Sequence, residues 1–323
     1  MMSWPDFAYK QIVVHQVLNK GEKIRFRADN IVILDDDGKV LLQHTCHRLF
    51  ALFIIGETSM TSVLMKNCVK YGFPLILMGA NFRVIARINC AAEGNTLLRQ
   101  RQYACENRKL DIAKRLIGQK IANQIGILKS LRRLSEKDRV AVEALQQINV
   151  GRARDNHELM GMEGTASRIF FSAYFRPMGW IRREPRCKRD TTNLLLDIGY
   201  TYLFQFVEAM LSLYGFDLYC GVLHTLFYQR KSLVCDMVEP FRCIIDRRVR
   251  KAHNLGQIDQ KDFFFRNGAY GLEWKVQVKY TRLFLKDILE YKENIFKYCQ
   301  SYYRWFMRGG QGLDFPVFDI TEA

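Results

Sequence analysis

A chain of 323 residues that is 49% hydrophobic and 13% aromatic can build one large domain or two ordinary ones, which excludes a disordered polypeptide. Its 49 lysines and arginines against 33 acidic residues leave a formal charge of +16, and with no basic amphipathic helix of the membrane-surface kind, nucleic acid is the expected partner. Nine cysteines stand singly with no C-x-x-C pair, which excludes a zinc ribbon or thioredoxin-like motif and fits small buried thiols in a reducing, cytoplasmic protein.

In chain order, the opening MMSWPDFAYK has no signal-peptide core. Gln11–Leu18, Ile24–Arg27 and Asn30–Leu34 alternate or run β-branched, and Asp35-Asp36-Asp37-Gly38 predicts a hairpin turn returning through Leu41–His44. The longest apolar run considered, Leu49–Ile55, is far short of the ~18 residues a membrane helix needs. Thr61–Tyr71 has helical spacing closed by Gly72, and Phe73–Met78 and Phe82–Ile88 read as two more strands.

From Ala92 the character turns helical. Gly94–Leu131 is a run of good helix formers carrying Arg99, Arg101, Arg108, Lys109, Lys114, Arg115 and Lys120 among its cations. Ser135 with Asp138 predicts a capping box, and Asp155 or Asn156 opens the next helix. Arg176–Asp190, with two prolines, reads as a loop, Thr191–Tyr214 as a helix and residues 255–271 as a connector. A final helix is predicted over Glu273–Met307, with a loose glycine-rich tail after it. The expected class is α+β: a β-rich domain over 1–91 and a larger all-α domain over 92–323.

The chemistry concentrates in Gly221–Arg250, GVLHTLFYQRKSLVCDMVEPFRCIIDRRVR. His224 precedes Asp236 and Glu239, and those two carboxylates, three residues apart, share a helical face. Two carboxylates and an imidazole suit a divalent ion, and the surrounding cations suit a phosphate chain. Pro240 should kink the helix, because it removes a backbone hydrogen bond.

The pattern H-x-x-F-x-x-x-K-S-L-V-x-D-x-x-E-P-F-R over His224–Arg242 resembles the signature of the CRISPR-associated protein 1 family of spacer-acquisition integrases. Two more blocks occur in the family's order, ELMGMEGTASRIFF over Glu158–Phe171 and RDTTNLLLDIGY over Arg189–Tyr200. The wording looks most like the type V versions. The resemblance implies Glu163, His224 and Glu239 as ligands of Mg2+ or Mn2+, with Asp236 as a supporting or alternative ligand. It implies a DNA integrase or endonuclease that inserts prespacers into the CRISPR repeat by 3′-hydroxyl attack on a phosphodiester. The alternative is a structure-selective endonuclease that hydrolyses branched DNA. It further implies a homodimer through the β-rich domain, two dimers bridged by CRISPR-associated protein 2, and no membrane. Arg168, Lys231, Arg242, Arg247 and Arg248 are the expected phosphate contacts near the metal, with Arg25, Arg27, Arg83 and Arg87 holding duplex DNA on the β domain.

Overall fold

The computed structural model of the chain describes residues 3–19, 21–88, 94–224 and 227–322. It divides into two compact units, one of Met1–Asn95 with Ser212–Gly215, the other of Thr96–Leu211 with Phe216–Ala323. The expected boundary at 91/92 lies outside the described residues.

The first unit opens with a short helix, α1 (Trp4–Ala8), capped by Ser3, and continues as strands β1 (Gln11–Gln16), β2 (Lys23–Arg27), β3 (Asn30–Leu34), β4 (Val40–Thr45), β5 (Leu49–Ile55) and β6 (Ser59–Met60). Helix α2 (Ser62–Tyr71) and strands β7 (Leu75–Met78) and β8 (Val84–Ile88) complete it. The Asp-Gly signal forms the β3–β4 hairpin: Gly38 sits at φ 81° and the Asp35 carboxylate accepts the Lys39 amide at 2.8 Å. Thr61 caps α2, and Gly72 ends it in the left-handed conformation.

These strands form two four-stranded sheets, β1-β5-β7-β8 and β4-β3-β2-β6. The run Leu49–Ile55 is β5, parallel to both β1 and β7 and buried at every position. A strand covered on both faces needs no alternation, so its continuous apolar sequence carries no strand period to read. Arg25 and Arg27 project outward from β2 while Ile24 between Lys23 and Arg25 points into the core, and Arg83 is exposed before β8.

The second unit holds helices α3 (Thr96–Tyr103), α4 (Lys109–Lys129), α5 (Glu136–Gln146), α6 (Asn156–Tyr174), α7 (Thr191–Ser212), α8 (Ser232–Val238) and α9 (Arg242–Asn254). A hairpin of β9 (Phe263–Arg266) and β10 (Ala269–Leu272) lies within the expected connector, so the unit is not wholly α. Helices α10 (Gln277–Glu290) and α11 (Lys292–Met307) replace the single final helix, with the break at Tyr291. The Ser135–Asp138 capping box forms as predicted, and Asp155 caps α6 by accepting the Glu158 amide at 2.8 Å.

Helix α7 is long and apolar enough by composition to span a membrane, but that stretch is mostly buried, as suits the central helix of a packed domain. Its Gly199 admits close neighbours: a Cβ there would stand 2.4 Å from Ile245 and 2.9 Å from Phe284. The tail is not loose. Phe315, Phe318 and Ile320 are buried, and the Asn123 side chain on α4 donates to the Phe318 carbonyl at 2.9 Å and accepts the Ile320 amide at 2.8 Å.

Candidate active site

Four segments of the helical unit bring polar groups together: α4, α6, the loop before α8 and the turn after it. Pro240 produces the break expected of it. Helix α8 stops at Val238, Glu239–Phe241 form a 3-10 turn, and α9 starts at Arg242. The turn directs Glu239 inward, and the Pro240 carbonyl is held by Asn123 Nδ2 at 3.1 Å.

Glu163 on α6 and Glu239 on this turn meet at one atom, the Nζ of Lys120 on α4. Lys120 donates a short hydrogen bond to Glu163 Oε1 and stands 2.7 Å from Glu239 Oε2. Arg242 Nε donates to the same Glu239 oxygen at 2.9 Å, and Ser167, one helical turn beyond Glu163, donates to Glu163 Oε1 at 2.7 Å. Burial pushes the Glu239 carboxyl pKa up, but Arg242 and Lys120 outweigh it and bring it down to about 2. For Lys120, burial pulls down and the two glutamates pull up more strongly, so the ammonium is held above its ordinary range.

Asp236 faces elsewhere. Its carboxylate is fully buried and accepts the backbone amides of Val222 (2.6 Å), Leu223 (3.1 Å) and His224 (3.1 Å). It also bonds His224 Nδ1 at 2.6 Å, so Nε2 is the ring nitrogen left to address a ligand. Asp236 and Glu239 therefore do not converge on one point: Asp236 orients the imidazole while Glu239 joins Glu163. Gly221 permits this, because a Cβ on it would stand 2.6 Å from Asp236 Oδ2.

Among the described residues no three His, Cys, Asp or Glu side chains stand as a ready-made metal cluster. The donor set nevertheless fits a hard divalent ion. Two carboxylates already share one cationic atom, and the loop before α8 carries an imidazole oriented by its own carboxylate.

The expected phosphate contacts separate by position. Arg168 is exposed on α6 and, five residues on, lies about 140° round the helix from Glu163. Arg242 is partly exposed, with its guanidinium 4.7 Å from the Tyr200 ring centroid. Lys231 pairs with the buried Glu208 at 2.6 Å. Arg247 is tied to the Tyr291 hydroxyl and ring, and Arg248 is buried against Asp287 at 3.4 Å and Gln257. These last two tie parts of the helical unit to one another, and Arg248 is buried rather than presented at the surface.

Sequence reasoning counted Lys120 only as one cation of a run. Its position was the signal: it falls on the apolar face of α4 with Ala113, Leu116, Ile117 and Ile127, where a lysine is buried only when paired.

Residues 16–286 match the family model for CRISPR associated protein Cas1. A curated relative from Chlorobaculum tepidum, named a CRISPR-associated endonuclease Cas1, is 30% identical over 239 residues, 67% of this chain and 69% of its own. One from Thermodesulfovibrio yellowstonii of the same name is 29% identical over 65% of this chain and 70% of its own. The fold matches a CAS1 protein from Thermotoga maritima with TM-score 0.82 at 17% identity over 94% of this chain and 99% of that one. A casposase bound to integration product matches with TM-score 0.79 at 17% identity, over 96% and 95%. A chain of a Cas6-RT-Cas1–Cas2 complex matches with TM-score 0.82 at 20% identity, this chain covering 36% of it. With the three motif blocks all inside a matched span that covers most of the chain, the chain belongs to the CRISPR-associated protein Cas1 family.

Proposed function

We propose that this chain is a divalent-metal-dependent DNA integrase of CRISPR adaptation, joining the 3′-hydroxyl of a short captured duplex to a phosphodiester of the repeat array. The observation that carries this is the meeting of Glu163 and Glu239, 76 residues apart in sequence, at a single cationic atom, with Asp236 holding His224 by its Nδ1. Glu163, His224 and Glu239 would hold Mg2+ or Mn2+. A bound ion of this kind supplies charge stabilisation at the phosphorus and at the attacking and leaving oxygens.

The chain's own residues do the rest. Asp236 fixes the imidazole through Nδ1, which leaves Nε2 to address the ion, and Arg242 keeps Glu239 ionised while part of its guanidinium stays exposed for a phosphate. Arg168 and, on the β-rich unit, the exposed Arg25, Arg27 and Arg83 supply sequence-independent backbone contacts. In strand transfer the incoming 3′-oxygen forms the new bond to phosphorus and loses its proton to solvent. The displaced 3′-oxygen leaves and takes a proton up, so no enzyme-bound intermediate is required.

The family resemblance supports a homodimer, and the likeness to a chain of a Cas6-RT-Cas1–Cas2 complex supports CRISPR-associated protein 2 as its partner. The hydrolytic reading uses the same groups with water as nucleophile, and the relatives' name of endonuclease favours it. A labelled 3′-OH duplex and a supercoiled repeat-bearing plasmid separate the two. Label joined to plasmid with Mg2+ or Mn2+, and lost with EDTA or Glu163→Gln, is the expected result. Nicked plasmid without joined label would replace integration by hydrolysis.

A further inference from the structure

We propose that Lys120 is a built-in cation that fills the carboxylate pair when no metal is bound and must withdraw for the ion to enter. This rests on the proposed reading of Glu163 and Glu239 as metal ligands. Lys120 is the point at which the two carboxylates meet, hydrogen-bonded to Glu163 and 2.7 Å from Glu239 Oε2. Its side chain is 7% exposed and that of Glu239 5%, so the pair cannot rely on water for compensation. Arg242 contacts only the Glu239 side, which leaves Lys120 as the cation that ties Glu163 to Glu239.

An ammonium and a divalent ion cannot both occupy the space between the same two oxygens, since a metal takes oxygens at ~2.0–2.6 Å. Binding is therefore an exchange. The apparent affinity for metal is the intrinsic affinity reduced by the fraction of molecules in which Lys120 has swung away. A lysine suits this role better than an arginine, being a point charge on a flexible four-carbon stem. Glu163, with 26% of its side chain exposed, marks the side from which the ion enters and toward which the ammonium leaves.

The test uses Lys120→Met in the full-length chain, with metal binding read by Mn2+ paramagnetic resonance and stability by thermal unfolding in EDTA. The variant is expected to bind Mn2+ on the order of tenfold more tightly than wild type. It should also unfold at lower temperature in EDTA and gain more from added Mn2+. Equal Mn2+ affinity in the two proteins overturns the exchange while leaving the metal site intact. Absence of Mn2+ binding in both overturns the metal site itself, and the exchange with it.

Wild-type protein gives an independent reading that no folding defect can obscure. The Lys120 ammonium, assigned by 15N-lysine spectroscopy, should show slow proton exchange without metal and lose that protection on Mg2+ titration. A signal unmoved at saturating Mg2+ would overturn the proposal.

Discussion

Asp236 holds His224 by both its ring and its main chain. One carboxylate receives the Nδ1 of the imidazole at 2.6 Å and the backbone amide of the same residue at 3.1 Å, together with the amides of Val222 and Leu223. Because the anion is buried, it depends on these donors for compensation, and residues 222–224 are held in place by satisfying it.

Asp236→Asn keeps the size but offers one acceptor oxygen and turns an NH2 group toward amides that need an acceptor. The expected cost is roughly 2–4 kcal/mol of stability, since the bonds lost are charge-assisted. Activity should fall about 10–100-fold, the usual effect of removing the group that orients a metal-bound histidine. Urea unfolding and the strand-transfer assay measure the two. A variant with full activity would show that the imidazole needs no such orientation.

Gly221→Ala tests the same loop from the other side. The added methyl would stand 2.6 Å from Asp236 Oδ2 and 2.9 Å from the Ser232 carbonyl carbon, and neither the carboxylate nor the backbone can give way cheaply. A loss of about 1–3 kcal/mol is expected, the range for overpacking a filled interior. Activity should fall by more than the loss of folded protein explains, because the displaced loop carries His224. The comparison to make is specific activity against fraction folded at the same temperature.

The signals legible in the sequence were those that act locally. Asp35–Gly38, Thr61 with Gly72, Ser135 with Asp138, and Pro240 each fixed a turn, a cap or a break through chemistry confined to a few residues. Long-range pairing was not legible. Leu49–Ile55 becomes the shared middle strand of a parallel sheet only because β1 and β7 cover its edges, and no alternation betrays that. The Gly309–Gly312 stretch suggested a loose end, yet Phe315, Phe318 and Ile320 beyond it are buried by α4 and its neighbours. In the site, two motif blocks named Glu163, His224 and Glu239, but helical spacing treated Asp236 and Glu239 as facing together. The turn at Pro240 rotates Glu239 toward Lys120 and leaves Asp236 with the loop.

Buried Asp246 predicts a pH dependence. Burial raises its carboxyl pKa most, against the opposing pull of the Tyr200 hydroxyl and Arg242, and the result is about 6. A carboxyl raised on folding destabilises the native state once ionised, so this penalty is present above pH 6 and disappears as pH falls toward its ordinary value near 3.8. Asp246→Asn carries no such penalty and can still accept from Tyr200. Its stability relative to wild type should therefore improve by about 2 kcal/mol between pH 4 and pH 7. Glu239, lowered to about 2, has the reverse sign: its contribution is complete above its ordinary value of 4.5 and is lost as pH falls below that. Denaturant unfolding of both proteins in EDTA across this range makes the measurement, and parallel pH curves would mean that Asp246 is not perturbed.

Phe318 connects the tail to the turn that carries Glu239. Its ring meets Phe241 edge-on at 4.9 Å and Tyr291 at 5.7 Å, and Phe241 is two residues from Glu239. Asn123 adds a second tie, donating to both the Phe318 and the Pro240 carbonyls. Phe318→Ala should cost about 3–5 kcal/mol by emptying a filled site. If the tail only adds burial, the remaining folded protein will have wild-type specific activity. If it braces the turn, as the Phe241 contact and the shared Asn123 predict, Glu239 will be less well held. Specific activity will then fall several-fold at a temperature where the variant is fully folded, and higher Mn2+ will restore part of it. Loss of stability with unchanged specific activity would reduce the tail to a packing element.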